Sequence, residues 1–362
     1  TIKGGLASVM WTDALQCIML LGGGLVLYFV ALKKIPGGWS AMMAAQPERF
    51  HLYHPPNDAD APFLGLIFLS FGVGLFYQAA NQVMVQRVLG AKSTWDGIMG
   101  IIFAGFINLA RPLVTCFLGF IVWHWIHEMH RAEPLSDPDT AFPFALKTFA
   151  PSWGLRGVVL AGFLAAVMST ISALSNSTAT IFSLDVYKKW INPQADDRKV
   201  IRAGRLAAFL SLALAALVAP SIQHWGGIFK YFQTGVTYLA TPFISVILMG
   251  VLWKRTNYPA AIFGIIGGFI IQLLVALGAP KLGFHLHWLY LGAIAQVLIM
   301  TGIALVSIFS TSPPVSEAGA FQWSLTGLRY FKEEKSRPWF QSLRLWFGIF
   351  ACLWIWVYWR FW

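Results

Sequence analysis

The sequence predicts an all-α integral membrane protein, a bundle of about nine membrane-spanning helices. Of the 362 residues, 57% are hydrophobic and only 11% are charged, whereas soluble domains carry roughly 25% charged residues. Apolar runs of helical length recur along the whole chain, without the alternation that marks the strands of a membrane β-barrel. Because helices satisfy their own backbone groups in lipid, a helical bundle is the expected architecture.

Each predicted span is an apolar run bounded by turn signals such as "KKIPGG", "HPPNDADAP" and "STSPP". Several runs exceed the roughly 20 residues needed to cross the hydrocarbon, so tilted helices are expected. The predicted spans lie at 6–32, 63–82, 98–125, 157–187, 203–222, 229–253, 260–277, 284–309 and 343–361.

The formal net charge of +11 is interpreted as a topology signal and not as a nucleic-acid surface. Most Lys and Arg residues fall in the loops after the second, fourth, sixth and eighth spans, which predicts that these loops are cytoplasmic. The first helix then runs outward, and the C-terminus lies outside a multi-pass cell-membrane protein. The chain shows no phosphate loop, nucleophile elbow or haem motif, so no enzyme is expected.

The fourth span, which contains "MSTISALSNSTATIFSLDVY", is unusually rich in oxygen atoms for a membrane helix. Ala166, Ser169, Thr170 and Ala173 have the i, i+3, i+4, i+7 spacing of one helix face. The Ala166 carbonyl and the two hydroxyls can therefore converge on one point, where uncharged oxygens suit a small hard cation. The alternative is ordinary helix packing, in which small residues and hydroxyls bring helices together.

Two charged residues are predicted to lie inside membrane spans. Asp13 is within the first helix, where a carboxylate costs at least about 2.5 kcal/mol and usually marks an ion or substrate path. It could instead reach the headgroups at the cytoplasmic interface. Arg111 precedes Pro112 in the third helix, and it could pair with a carboxylate or with an anionic group of a substrate.

Two further helices combine helix-breaking residues with polar side chains. The second carries Gly72 and Gly74 just before Tyr77, which is the pattern of a discontinuous helix at a transporter site near the membrane midplane. The sixth carries Gln233 on a potential cavity face and Pro242 at a predicted kink. A buried Gln could also serve only to join helices.

Four stretches of this sequence resemble the sodium/solute symporter family, and within it the sodium/glucose cotransporter branch. The resemblance covers essentially the whole chain, and the four stretches occur in the order that the family has. They are "GGLASVMWTDALQ" (4–16), "NQVMVQRVLGAKS" (81–93), "NSTATIFSLDVYKKW" (176–190) and "GVLWKRTNYPAAIFGIIGG" (250–268).

The resemblance implies a LeuT-type fold with an inverted repeat of five plus five helices, within the family's fourteen. The chain would then start at the fifth core helix and form a single transmembrane domain over 1–362. The second repeat would occupy about 63–253, and extra C-terminal helices about 257–362. Since such a fragment holds only one wall of the sodium site, it is not expected to transport by itself.

The resemblance also implies how sodium, the coupling ion, is bound. The family's eighth core helix supplies a carbonyl and two hydroxyls, which map onto Ala166, Ser169 and Thr170. Some relatives hold a second sodium with a carboxylate that maps onto Asp13 and a hydroxyl at the position of Ala173. Because Ala173 has no hydroxyl, one sodium is the expectation.

For the solute, the resemblance assigns the sugar-contacting Gln to Gln233 and the aromatic inner gate to Tyr77, which would stack under a pyranose ring. Gly74 and Asn108 stand where the family has a polar residue and a Lys, so a different sugar or small polar solute is implied. Arg111 leaves an acidic sugar open.

The predicted function is sodium-coupled symport of a sugar or related solute by alternating access. The alternatives are a symporter of an acidic sugar, carboxylate or amino acid, and a membrane sensor that has kept the fold and lost transport.

Overall fold

The computed structural model describes residues 5–58, 61–151, 154–224, 228–310, 322 and 337–362. Within these residues the chain is helical, and no strand occurs. The α-helices are α1 (Gly5–Leu32), α2 (Gly38–Ala45), α3 (Phe63–Leu69), α4 (Gln82–Leu89), α5 (Thr94–His127), α6 (Ala141–Phe149), α7 (Leu155–Thr180), α8 (Asp197–Val218), α9 (Ile228–Leu252), α10 (Tyr258–Lys281), α11 (Trp288–Phe309) and α12 (Leu343–Phe361). Short 3₁₀ turns lie at Pro47–Phe50, Pro138–Thr140, Ala219–His224 and Trp339–Gln341.

Eight helical stretches of the described residues are long and apolar enough to cross a membrane, and they correspond to the first eight predicted spans. The ninth, α12, forms over Leu343–Phe361 as predicted, but it is not among these eight. Its many Trp and Tyr side chains are amphipathic rings that favour the membrane interface over the hydrocarbon. The structure therefore supports eight apolar spans and one aromatic helix.

The second span differs from the sequence prediction. It is not interrupted at Gly72 or Gly74, because α3 continues into two π-helical segments, Ser70–Gly74 and Phe76–Ala80. The break comes at Asn81, which has extended backbone and caps α4 by accepting a hydrogen bond from the Val83 amide at 3.0 Å.

Gly72 does not break the helix, and its role is to allow α11 to pack closely against it. A Cβ atom at Gly72 would lie 2.8 Å from the Gln296 Oε1 atom of α11, while the Gln296 Nε2 atom donates to the Phe71 carbonyl at 3.2 Å. The glycine thus lets an amide side chain reach the backbone of the π-helical segment.

The chain divides into two compact units. The first contains Thr1–Phe50 and Phe103–Gly227, and the second contains His51–Ile102 and Ile228–Trp362. Helix α5 is continuous through the point where they divide.

In the first unit, the core lies among α1, α5, α6 and the start of α7, around fully buried Leu27, Ile121 and Phe149. Gly154, with φ +91°, precedes α7 in the left-handed conformation that glycine tolerates best. Arg156 then donates to the Ala150 carbonyl at 2.9 Å and the Lys147 carbonyl at 2.8 Å, which caps the end of α6 and fixes the start of α7.

Helices α1 and α7 pack closely and antiparallel. A Cβ atom at Gly162 would lie 3.0 Å from the Met19 carbonyl oxygen and 3.2 Å from the Leu20 Cα atom. One at Gly23 would lie 3.5 Å from the Val159 Cα atom. Small residues at such a crossing allow two membrane helices to approach at backbone distance.

In the second unit, α9, α10 and α11 pack together. A Cβ atom at Gly264 would lie 2.4 Å from the Val246 Cγ2 atom, and one at Gly268 would lie 3.1 Å from the Pro242 Cβ atom. The start of α10 is held by Asn257, which accepts from the Ala260 amide at 3.2 Å and donates to the Ser310 hydroxyl beyond α11 at 2.7 Å. Helix α9 also packs against both π-helical segments.

Candidate functional site: the Asp13–Ser169 pair and its surroundings

The central feature of the candidate site is a hydrogen bond between two helices of the first unit. The Ser169 hydroxyl of α7 donates to the Asp13 Oδ1 atom of α1 at 2.6 Å, and both side chains are partly buried. A hydroxyl–carboxylate distance of this length is typical of a charge-assisted hydrogen bond. The antiparallel crossing at Gly162 brings the two residues into line, so the packing of α1 on α7 positions the pair.

Other hydroxyls of the membrane helices behave differently from that of Ser169. The Ser175 hydroxyl, also on α7, donates to the carbonyl of Ile171 at 2.7 Å. On α9, Thr241 donates to the carbonyl of Thr237 at 2.6 Å. A helical hydroxyl normally satisfies itself on a carbonyl of the preceding turn, whereas Ser169 is drawn to a carboxylate on another helix.

Thr170 and Ala166 form a second oxygen pair on the same helix face. The Thr170 hydroxyl donates to the Ala166 carbonyl at 3.1 Å. Thr170 is exposed, and Ala166 is half-buried. If the hydroxyl proton turns away, these two oxygens are close enough together to bind the same cation. Each would then lie about 2.3–2.6 Å from it, the range for a hard cation of calcium's size. The structure thus brings together Asp13 with Ser169, and Thr170 with Ala166. That these groups share one cation stays a prediction.

Gln16 is a residue of this region that the sequence analysis missed. It lies one turn after Asp13 on α1, and its side-chain oxygen is buried without a hydrogen-bond partner among the described residues. The antiparallel register that pairs 13 with 169 and 20 with 162 places Gln16 opposite Ala166. The i, i+3 spacing from Asp13 in "TDALQ" was the available signal.

Ala173 is buried, with 3% of its surface exposed, and the same register places it opposite Val9, which is 2% exposed. At this level the crossing is filled by apolar side chains. The structure therefore gives Ala173 a packing role and adds no oxygen to the site there.

Three of the residues predicted to bind solute belong to the second unit. Gln233 lies in the early turns of α9, and Tyr77 and Gly74 lie in the π-helical segments against which α9 packs. Gln233 and Tyr77 are half-buried. The Tyr77 hydroxyl is buried without a partner among the described residues, so it is a candidate group for a polar ligand.

The other two, Asn108 and Arg111, belong to the first unit. They lie three residues apart on one exposed face of α5. In the described part of the chain Arg111 has no ion-pair partner. Of the two predicted roles for Arg111, pairing with a carboxylate is therefore not observed there.

Comparisons with known proteins match this architecture. The model of the sodium:solute symporter family matches residues 1–268. The chain is 31% identical over 334 residues to the sodium/glucose cotransporter of Vibrio parahaemolyticus, and 29% identical over 361 residues to human sodium/myo-inositol cotransporter 2. These alignments cover 86% and 88% of this chain.

Among solved structures, the chain is similar to a Na⁺-coupled sialic acid symporter in a substrate-bound, outward-open state. The TM-score is 0.71 at 20% identity, over 89% of this chain and 65% of that one. This likeness shows the fold, which is LeuT-like. The chain spans 61% of the Vibrio relative and 53% of the human one.

Proposed function

The chain belongs to the sodium:solute symporter family, and from this premise we propose that it carries the sodium-binding helix and solute-contacting residues of a sodium-coupled symporter. The solute is a sugar or a related small polar molecule. The observation that supports the proposal most is the bond from Ser169 to Asp13, because it places a carboxylate among the hydroxyls of α7.

Sodium is the transported cation that these groups fit. Helix α7 contributes neutral oxygens from Ala166, Ser169 and Thr170, and α1 adds the carboxylate of Asp13. Hydroxyl, carbonyl and carboxylate oxygens are the ligands that hard cations prefer. The buried oxygen of Gln16 is a further acceptor on the same face of α1.

The solute is proposed to bind at Gln233 and Tyr77. An amide can donate to and accept from sugar hydroxyls, and an aromatic ring offers an apolar face on which a pyranose can stack. Gly74 and Asn108 add less hydrogen bonding than the family's residues at those positions, so the solute differs from that of the sugar carriers it resembles. Sodium/glucose and sodium/myo-inositol cotransporters among its relatives favour a polyhydroxylated solute.

Coupling follows from alternating access. Sodium bound on α7 would favour the outward-open state, solute would then be enclosed, and the helices would rearrange to open inward. One charge crossing 100 mV contributes about 2.3 kcal/mol, and a tenfold sodium gradient adds about 1.4 kcal/mol. Together they support a solute gradient of roughly a few hundredfold.

An acidic sugar is the second candidate solute. Arg111 is exposed and, in the described residues, forms no ion pair, and a guanidinium binds a carboxylate in a bidentate manner. The sialic acid symporter with a similar fold carries such a solute. A carboxylate or an amino acid would use Arg111 in the same way.

The proposed topology places the loops after the second, fourth, sixth and eighth spans in the cytoplasm and the C-terminus outside. The excess of Lys and Arg in these loops supports it. A tag after Trp362 should then be accessible to impermeant reagents in intact cells, and a tag that reacts only after permeabilisation would contradict this orientation.

The function is tested by uptake into proteoliposomes that contain the full-length protein, with labelled glucose, galactose, myo-inositol and sialic acid. We expect uptake of one solute class that disappears when choline replaces sodium and increases with an inside-negative potential. Uptake that ignores sodium would refute the proposal. Binding of solute without any uptake or current would support the alternative function, a membrane sensor that has kept the fold and lost transport.

Two variants identify the solute class. Gln233→Ala should raise the KM of any sugar by roughly 10-fold, since a hydrogen bond to a neutral ligand is worth about 0.5–1.5 kcal/mol. Arg111→Gln should leave neutral sugars unchanged and impair only an acidic solute. If Arg111→Gln impairs myo-inositol as strongly as sialic acid, the proposed role of Arg111 is wrong.

A further inference from the structure

Helix α10 holds an unexplained polar group in its most buried face. Gln272 has only 2% of its surface exposed, and neither its Nε2 nor its Oε1 atom has a hydrogen-bond partner among the described residues. Buried polar side chains are almost always hydrogen-bonded, because an unsatisfied one costs about 1–3 kcal/mol. A Gln at this position in an apolar helix therefore calls for a specific partner.

Helix α9, which packs against α10, lacks one backbone hydrogen bond. Pro242 lies inside α9 and has no N–H group, so the carbonyl of Tyr238, four residues earlier, loses its helical donor. Proline-interrupted membrane helices are tolerated where a neighbouring side chain or a water satisfies the freed carbonyl.

The hydroxyls of α9 do not supply the missing donor. Thr237 donates to the Gln233 carbonyl at 2.7 Å, Thr241 donates to the Thr237 carbonyl at 2.6 Å, and Ser245 donates to the Thr241 carbonyl at 2.7 Å. Each of them bonds a carbonyl that already has an N–H donor within the helix. The carbonyl of Tyr238 is not among their acceptors.

The register of α9 against α10 brings the two unsatisfied groups together. Gly264 lies against Val246, and Gly268 lies against Pro242, so the next turn of α10 places Gln272 opposite Tyr238. A helical side chain leans back over the turn that precedes it. The Gln272 side chain is therefore expected to lean toward Gly268, whose lack of a Cβ atom allows the close approach of Pro242.

We propose that one buried water joins Gln272 to α9: the Gln272 Nε2 atom donates to the water, the water donates to the Tyr238 carbonyl, and Gln272 thereby positions α9 at its proline. The water's bond to this carbonyl replaces the one that Pro242 removes. It stabilises the relation between the two halves of α9, the first of which carries Gln233. Because Gln233 is proposed to contact the solute, Gln272 would also affect solute binding. Only this effect on the solute rests on the proposed function.

The first test is thermal unfolding of the full-length protein in detergent. Gln272→Met keeps the length of the side chain and removes its donors, so it should lower Tm by roughly 2–4 °C. The matched control is Ser307→Ala on α11, which removes a different buried polar group, a hydroxyl that has no partner in the described residues. The control should leave Tm unchanged or raise it. If Gln272→Met raises Tm as well, Gln272 is a buried polar group without a hydrogen-bond partner, and the proposal is wrong.

The second test is a double-mutant cycle. Pro242→Ala restores an N–H donor for the Tyr238 carbonyl, so Gln272→Met should no longer lower Tm in that background. The same loss in both backgrounds would overturn the pairing. If Pro242→Ala fails to fold, the first test still decides the proposal, because it compares the sign of the Tm change in Gln272→Met with that in Ser307→Ala.

The third test separates positioning from stability. In sodium-driven uptake, Gln272→Met should raise the solute KM several-fold while the half-saturating sodium concentration stays unchanged. A lower Vmax with unchanged KM would mean that less protein folds and that Gln272 does not position Gln233. Absence of uptake by the unmodified protein would refute the proposed function but leave both thermal tests valid.

Discussion

Helices α7 and α9 both carry several hydroxyls in membrane-spanning segments, yet they use them differently. On α9, Thr237, Thr241 and Ser245 each donate to the carbonyl four residues earlier in the same helix. On α7, Ser175 does the same, but Ser169 donates to Asp13 on α1.

This difference shows when a hydroxyl in a membrane helix indicates function. A Ser or Thr that bonds its own backbone is satisfied, so its hydrogen bond alone is no evidence of a ligand. Thr170 is such a residue, and it is assigned to the site by its position beside Ser169 and not by its hydrogen bond. A hydroxyl that leaves its backbone for a carboxylate on another helix joins a polar site whose burial has a free-energy cost. The number of hydroxyls is therefore weak evidence, and the partner of each hydroxyl is the informative quantity.

The largest effect is expected from removal of the carboxylate. Asp13→Ala should raise the half-saturating sodium concentration for uptake by about 100-fold, since hydrogen bonds and contacts to a charged group contribute about 1.5–3 kcal/mol. Asp13→Asn keeps an oxygen that can accept from Ser169 and should lose less. Sodium titration of solute uptake measures both, and an unchanged sodium requirement in Asp13→Ala would remove α1 from the site.

Separating α1 from α7 should have the next largest effect. A Cβ atom at Gly162 would lie 3.0 Å from the Met19 carbonyl oxygen, so Gly162→Ala should lower the free energy of unfolding by about 1–3 kcal/mol. It should also weaken sodium dependence, because the pair at 13 and 169 depends on this crossing.

Gly157→Ala is the matched control for this substitution. It lies on the same helix, but an added Cβ atom would meet nothing within 4 Å. It should be neutral or stabilise the protein by up to about 1 kcal/mol through helix propensity. Equal unfolding temperatures for the two variants would show that the helices do not need the close approach.

Removing the Ser169 hydroxyl should have a smaller effect than removing the carboxylate. Ser169→Ala should raise the half-saturating sodium concentration by roughly 10-fold, the equivalent of about 1.4 kcal/mol. Ser175 lies six residues further along α7 and bonds its own backbone, so Ser175→Ala should leave the half-saturating sodium concentration unchanged. A similar shift in both variants would mean that α7 hydroxyls act only through helix stability.

Much of the fold could be predicted from the sequence because apolar length determines a membrane span. Among the apolar spans, α1 differs from its predicted bounds by one residue at its start. The bounds of the aromatic helix α12 also match the prediction. The π-helical segments after Leu69 could not be predicted, since no periodicity in the chain marks them. The glycines predicted a break, but Gly72 packs against Gln296 of α11 and the break lies at Asn81.

The candidate site was predictable in part. The spacing of Ala166, Ser169 and Thr170 predicted one helix face, and Asp13 was recognisable as a charge inside a span. That Ser169 bonds Asp13 depends on the antiparallel register of two distant segments, which no local pattern contains. Gln16 was missed because a Gln in a membrane helix is often only a contact between helices, and its unpaired oxygen becomes evident only in three dimensions.

The smallest effect is expected on α9, and it tests the comparison from the opposite side. Thr241 is 2% exposed and donates to the Thr237 carbonyl, which also has the helical N–H of residue 241 as a donor. Thr241→Val keeps the branched shape and removes only the redundant bond, so the free energy of unfolding should change by less than about 0.5 kcal/mol. The sodium dependence of uptake should stay as it is. If Thr241→Val shifts the half-saturating sodium concentration as Ser169→Ala does, then a hydroxyl without a carboxylate partner affects the cation as strongly as Ser169, and the partner of a hydroxyl would no longer separate the two helices.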